Sequence, residues 1–183
     1  MSGDVTATVS TDAGMWLLWR PEAFASVRDY DSWSEELEDD EDISRHVREG
    51  DCVPITIGQD MAAAFVVRVA RSGVLLRKAV AASLTQRESD YLFLSSEPYL
   101  LVSNGSAVLT SIEGVVGGRD QTQVVLPAGR WSVTVHLVEW DQEPGALVDG
   151  KPGPNALPDF VVLVEQARPE QEFRQSLEAF VRP

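Results

Sequence analysis

Residues 121–141 read QTQVVLPAGRWSVTVHLVEWD. Leu126-Pro127-Ala128-Gly129 has the composition of a turn. Behind it Trp131, Val133, Val135 and Leu137 alternate with Ser132, Thr134 and His136. Alternation of period two with β-branched and aromatic residues predicts a strand buried on one face. Pro127 has no N–H to give to a ladder, so it belongs in the turn or at the start of the strand.

Working outward, residues 49–69 (EGDCVPITIGQDMAAAFVVRV) echo this stretch with two apolar runs around a glycine turn. We expect strands over 53–57 and 61–69, joined as a hairpin through Gly58-Gln59-Asp60. Earlier in the chain, Val5, Ala7 and Val9 alternate with Thr6, Thr8 and Ser10. Residues 11–14 then read as a turn and 15–19 as the second strand of a hairpin. The segment 74–84 mixes apolar residues with Arg77 and Lys78, and we assign it as strand. Short strands follow over 91–94 and 99–102. Asn104-Gly105 is the strongest hairpin signal in the chain, because a type I′ turn needs positive φ at both central residues. It is expected to link 99–103 to 106–112. Residues 114–120 and the Pro- and Gly-rich 144–158 read as loops, and 160–165 as a last strand.

Helix signals are fewer. Pro21 suits a first helical turn, which predicts a short helix over 22–28. In DSWSEELEDDED, residues 31–42, Ser32 and Glu35 have capping-box spacing. A helix could run on to Gly50, a common C-terminal cap residue. The density of like charge predicts that it is broken. At the end of the chain, Pro169 precedes Phe173, Leu177 and Phe180 at helical spacing, which predicts a C-terminal helix over 169–181.

About ten strands and no βαβ alternation predict a mainly β protein, an antiparallel β-sandwich with a few short helices. We expect one β-rich domain over 1–183. The echo leaves open a duplication of 1–85 and 86–168 as two similar β units.

The 183 residues carry a net charge of −14. That balance argues against binding nucleic acid or an anionic membrane, since both need a basic surface. It suits a basic protein partner, although acidity also serves solubility alone. Cys52 is the single cysteine, so no intrachain disulfide forms, which fits a reducing compartment. The first residues have neither the basic nor the apolar region of a signal peptide, and a cytoplasmic location is expected.

Catalytic and metal patterns are missing from the sequence. His46 and His136 are the two histidines, and no Cys/His cluster accompanies them. Asp29-x-Asp31-x-Trp33-x-Glu35 begins like a calcium loop, but Trp33 and Ser34 occupy positions that need a small oxygen ligand and a glycine. Whether a metal binds the acidic segment stays open. Gly114, Gly117 and Gly118 lack phosphate-loop spacing, and no nucleophile elbow occurs. We therefore expect no enzyme, no catalytic residues and no cofactor.

The order Gly50-Asp51, a strand ending Phe65–Val69, the Leu126-Pro127-x-Gly129-x-Trp131 entry to a long alternating strand, and Asp159-Phe160 resembles the competence protein J type of nuclease inhibitor and related bacterial immunity-type proteins. The resemblance spans 49–165. It implies an all-β protein that binds and blocks a nuclease or other toxin.

Asp31, Trp33, Glu35, Glu36, Glu38, Asp39 and Asp40 are the candidate partner-binding residues. Carboxylates beside an exposed aromatic can dock an arginine. The competing reading of Trp33 is that it folds the acidic helix onto the sheet. Two other functions stay open: a sandwich module binding carbohydrate or Ca²⁺ through loops 114–120 and 144–158, and a homo-oligomer paired through strand edges.

Overall fold

The computed structural model describes residues 4–70, 81–117 and 120–180. Its strands are β1 (Val5–Thr11), β2 (Met15–Trp19), β3 (Cys52–Thr56), β4 (Met61–Val69), β5 (Leu92–Ser95), β6 (Tyr99–Ser111), β7 (Thr122–Val138), β8 (Leu147–Val148), β9 (Lys151–Pro152) and β10 (Phe160–Gln166). Helices α1 (Tyr30–Leu37) and α2 (Asp40–Glu49) separate β2 from β3, and α3 (Gln86–Asp90) precedes β5. Among the described residues eight strands form one sheet in the order β1-β4-β10-β7-β6-β2-β3, with β5 beside β7. The protein is mainly β, as expected. The sheet is mixed, because β10 runs parallel to β4 while antiparallel to β7.

Two predicted hairpins are not hairpins. β1 pairs with β4, and β2 pairs with β3. The two segments therefore form one antiparallel ribbon, β1–β2 against β4–β3, that folds over at a shared corner. Gly14 and Gly58 sit at that corner with φ of 67° and 73°. The amides of Ile57 and Gly58 both donate to the Gly14 carbonyl. Glu113 ties the corner from outside, its carboxylate accepting from the Asp12 and Ala13 amides at 2.9 and 2.6 Å. Glycine chemistry reads locally as a turn, but here it lets paired strands pass from one layer to the other.

The same holds for the opening stretch and for Asn104-Gly105. β6 runs through Asn104-Gly105 without turning, and β7 runs through Pro127-Ala128-Gly129. The two lie opposite each other where the register shifts between Ser103↔Gly129 and Gly105↔Leu126. A bulge of this kind bends the strand and tolerates Pro127. Ser103, fully buried, replaces part of the broken ladder: its Oγ donates to the Leu126 carbonyl at 2.8 Å and accepts from the Gly105 amide at 3.1 Å. Ser103→Ala is expected to cost about 1–2 kcal/mol, the penalty for stranding buried backbone groups, readable as a lowered urea midpoint.

The folded ribbon closes a core between two layers. Trp16 of β2 packs edge-on against Phe65 of β4 at 5.5 Å and against Phe160 of β10 at 5.6 Å. Its Nε1 donates to the Val9 carbonyl of β1. Both Trp16 and Trp19 are buried, so neither forms an exposed patch.

Three further expectations differ. The predicted C-terminal helix is absent: residues 167–180 form a non-helical strap. Tertiary partners outweigh the helical spacing. Phe180 stacks on Phe160, Tyr99 Oη donates to the Ser176 and Glu178 carbonyls, and Thr56 donates to the Leu177 carbonyl. His136 does not lie on a solvated face, because Leu84, Tyr91, Trp140 and Leu157 cover that side of β7 and β10 in a second, smaller cluster. The segment 74–84 falls mostly outside the described residues, and 81–84 are not strand.

Candidate partner-binding site

The acidic segment is ordered as two short helices broken at Glu38-Asp39. The break is where dense like charge predicted one. The capping box is three residues earlier than expected. The Asp29 carboxylate accepts from the Ser32 amide at 2.9 Å, and Ser32 Oγ accepts from the Asp29 amide. The Ser32 hydroxyl also donates to the Asp29 carboxylate at 2.6 Å, and this bond, with that from the Ser32 amide, holds the Asp29 carboxyl below its ordinary pKa. Asp40, Glu41 and Asp42 occupy the first turn of α2, where the helix dipole favours negative charge. Gly50 ends α2 in the left-handed conformation, as expected.

Two attachments fix the helices to the sheet. Trp33 is half-buried, and its Nε1 donates to the Ile112 carbonyl at 2.9 Å. It thus folds α1 onto the body of the protein, which is the second of the two readings given for it. Tyr30, largely exposed, stacks on its outer side at 5.8 Å.

The second attachment is a buried charge network that joins α1, α2 and the start of β3. His46 and Asp51 are 4% and 3% exposed. His46 Nδ1 lies 2.8 Å from Asp51 Oδ2, and its Nε2 lies 3.0 Å from Glu36 Oε2. Arg20 Nε donates to Asp51 Oδ1 at 2.8 Å, and Arg45 reaches Glu36 at 3.0 Å. A ring with a carboxylate at each nitrogen is satisfied as imidazolium, with both N–H groups donating. Burial opposes that charge, but the hydrogen bonds to Asp51 and Glu36 outweigh it, and the His46 pKa is raised. Burial likewise opposes the Asp51 anion, yet His46 and Arg20 hold its pKa down. Glu36 is lowered chiefly by its hydrogen bond to His46.

The seven candidate residues therefore divide. Trp33 and Glu36 hold structure. Asp31, Glu35, Asp39 and Asp40 are exposed and make no ion pair among the described residues. Glu38 is exposed and accepts from Ser34 Oγ. The free carboxylates sit on the two helices and, for Asp39, at the break between them, and the network fixes the positions of both helices.

His46, Glu49 and Asp51 bring possible metal-ligand atoms within 4.8 Å of one another. Both His46 nitrogens are already engaged and the Arg20 guanidinium occupies Asp51, so this donor set does not suit a further cation. His136 lies elsewhere. Ser95 Oγ meets its Nδ1 at 2.8 Å, its Nε2 has no partner among the described residues, and burial lowers its pKa.

The fold has solved counterparts. A structure described as crocagin biosynthetic gene J matches 90% of this chain and 99% of its own, at 15% identity and a TM-score of 0.51. The two chains share a fold. The crystal structure of ComJ from Bacillus subtilis, inhibitor of the DNA degrading activity of NucA, matches 89% of this chain and 96% of its own, at 10% identity and a TM-score of 0.47. At these identities the likeness is one of fold. No family model matches the chain, and no curated protein matches it by sequence. No helix among the described residues is long and apolar enough to cross a membrane.

The network was not visible in the sequence, because Arg20, Glu36 and His46 come together only through the fold. One signal for His46 was present. His46 and Val47 stand three and four residues after Ile43 on α2, and all three are buried.

Proposed function

We propose that the chain is a cytoplasmic inhibitor of the immunity kind, a binding protein and not an enzyme. It docks on a basic nuclease or other toxin and covers its active site. The observation that carries this reading is the set of free carboxylates, Asp31, Glu35, Asp39 and Asp40, on helices locked to the sheet through Trp33 and the His46 network. Nuclease clefts are basic because they hold phosphates. A preorganised acidic face steers such a partner and disfavours wrong ones. The sequence resemblance to the competence protein J type supplies the nuclease as the class of partner.

The test is a DNA-degradation assay with any nuclease found encoded beside this chain's gene, titrated with the chain. Degradation should cease near equimolar inhibitor. It should return when Asp31, Glu35, Asp39 and Asp40 are all reversed to lysine. Undiminished degradation with excess wild-type chain removes the reading.

A further inference from the structure

Tyr30 is the most exposed aromatic side chain among the described residues, at 68%. Its position is nevertheless fixed. It is the first residue of α1, directly after the Asp29 cap. Its ring stacks on Trp33, with centroids 5.8 Å apart and planes 25° apart. Trp33 is held in turn by its hydrogen bond to the Ile112 carbonyl. One face of the Tyr30 ring thus has a rigid backing, and its exposure leaves the other face open to solvent.

Shielding Trp33 occupies only the inner face of the ring. At about 3.6 residues per turn, Trp33 lies to one side of Tyr30 around α1, and Asp31 and Glu35 lie to the other. Both carboxylates are exposed, and neither has an ion pair among the described residues. Like charges at this spacing repel each other. An apolar group set on the ring would strip water from them without satisfying them. An ammonium would pair with them, but it is a compact, strongly hydrated charge. A planar guanidinium can stack on the ring while its edge N–H groups donate to carboxylates. No cation of this chain stacks on Tyr30 among the described residues.

We propose that the open face of Tyr30 seats an arginine side chain of the basic partner protein, with the Asp31 and Glu35 carboxylates accepting from its guanidinium. The contact belongs to the acidic face proposed above for docking and rests on that reading; it adds a preference for arginine over lysine. The carboxylates steer the partner, and the ring holds it once docked.

The test compares labelled, end-capped hexaarginine and hexalysine peptides by fluorescence anisotropy with the full chain at low ionic strength. Both should bind, hexaarginine the more tightly. In Tyr30→Ala the preference for arginine should shrink about threefold. In Tyr30→Phe, which keeps the ring, it should persist. The part of the preference that comes from paired N–H groups at carboxylates would survive both substitutions. Reversing Asp31, Glu35, Asp39 and Asp40 to lysine should weaken both peptides. Equal binding of the two peptides by wild type overturns the proposal, as does loss of the preference in Tyr30→Phe. An unchanged preference in folded Tyr30→Ala, beside weakened binding in the lysine variant, removes the ring contact and leaves the acidic face standing. Undiminished binding of both peptides by the lysine variant removes the acidic face, and the contact with it.

Discussion

Asp51→Ala is expected to destabilise the protein by about 3–5 kcal/mol, the range found when one member of a buried ion pair is removed. For a chain of this size that is a fall of roughly 6–20 °C in thermal midpoint. Asp51 accepts from Arg20 and from His46, and it is 3% exposed. Its loss leaves His46 charged and buried with Glu36 as its remaining carboxylate partner. The effect should therefore exceed that of removing Glu36, whose side chain is one-third exposed.

The same network sets a pH dependence. The folded pKa of His46 is raised above its unfolded value, so its contribution is complete below about pH 6.5 and fades as pH rises through the folded value. Asp51 and Glu36 have lowered folded values. Their contributions are complete above the ordinary carboxylate range near pH 4 and fade as pH falls through the folded values. The network's contribution, read as the difference in urea midpoint between wild type and His46→Gln, should therefore be largest in the mildly acidic window between these limits. The difference removes the opposite trend of His136, whose lowered folded pKa loses stability as pH falls. In His46→Gln the decline on the alkaline side should disappear.

Gly14→Ala is the second large effect. A Cβ at Gly14 would stand 2.7 Å from the Gln59 amide nitrogen and 3.1 Å from the Gly58 carbonyl carbon. Both contacts are to backbone, so no side chain can swing aside. The φ of 67° adds left-handed strain to the clash. Together these should cost about 3 kcal/mol or more, and the corner that sends the paired β1 and β4 into one layer and the paired β2 and β3 into the other should loosen. Gly58→Ala is the control. Its φ is 73°, but a Cβ there meets nothing within 4 Å, so only the conformational cost of about 1–2 kcal/mol applies. Calorimetric midpoints for the two variants should separate clash from strain.

These glycines also show what could be read from the sequence. The strands over 5–10 and 61–69 were legible because period-two burial leaves a local mark, and 15–19, buried on both faces, was legible as a short apolar run. Their pairing was not, because a corner and a hairpin turn ask for the same residues. Gly14, Gly58, Asn104-Gly105 and Pro127–Gly129 meet local demands for positive φ or a missing donor in either setting. Only the partner strand decides between them. Phe173, Leu177 and Phe180 were misread for a related reason: their spacing fits a helix, but the strap over Ser176, Leu177 and Phe180 is held by partners far off in sequence, on β6, β3 and β10. At the candidate site the acidic segment and its break were visible as charge density. The division between free carboxylates and the structural pair Trp33 and Glu36 was not. It depends on the Ile112 carbonyl and on His46, which the fold brings to them.

That division sharpens the central claim, that α1 and α2 present a rigid acidic face to a basic partner. The direct measurement is the stopped-flow association rate of the chain with a nuclease of the class proposed as its partner. Wild type should be compared with a variant carrying lysine at Asp31, Glu35, Asp39 and Asp40, with Glu36 left intact so that the fold is preserved. At low ionic strength the variant should associate at least about tenfold more slowly, and the two rates should converge as salt screens the charges. Equal association rates at low salt, with both proteins folded, would contradict the account.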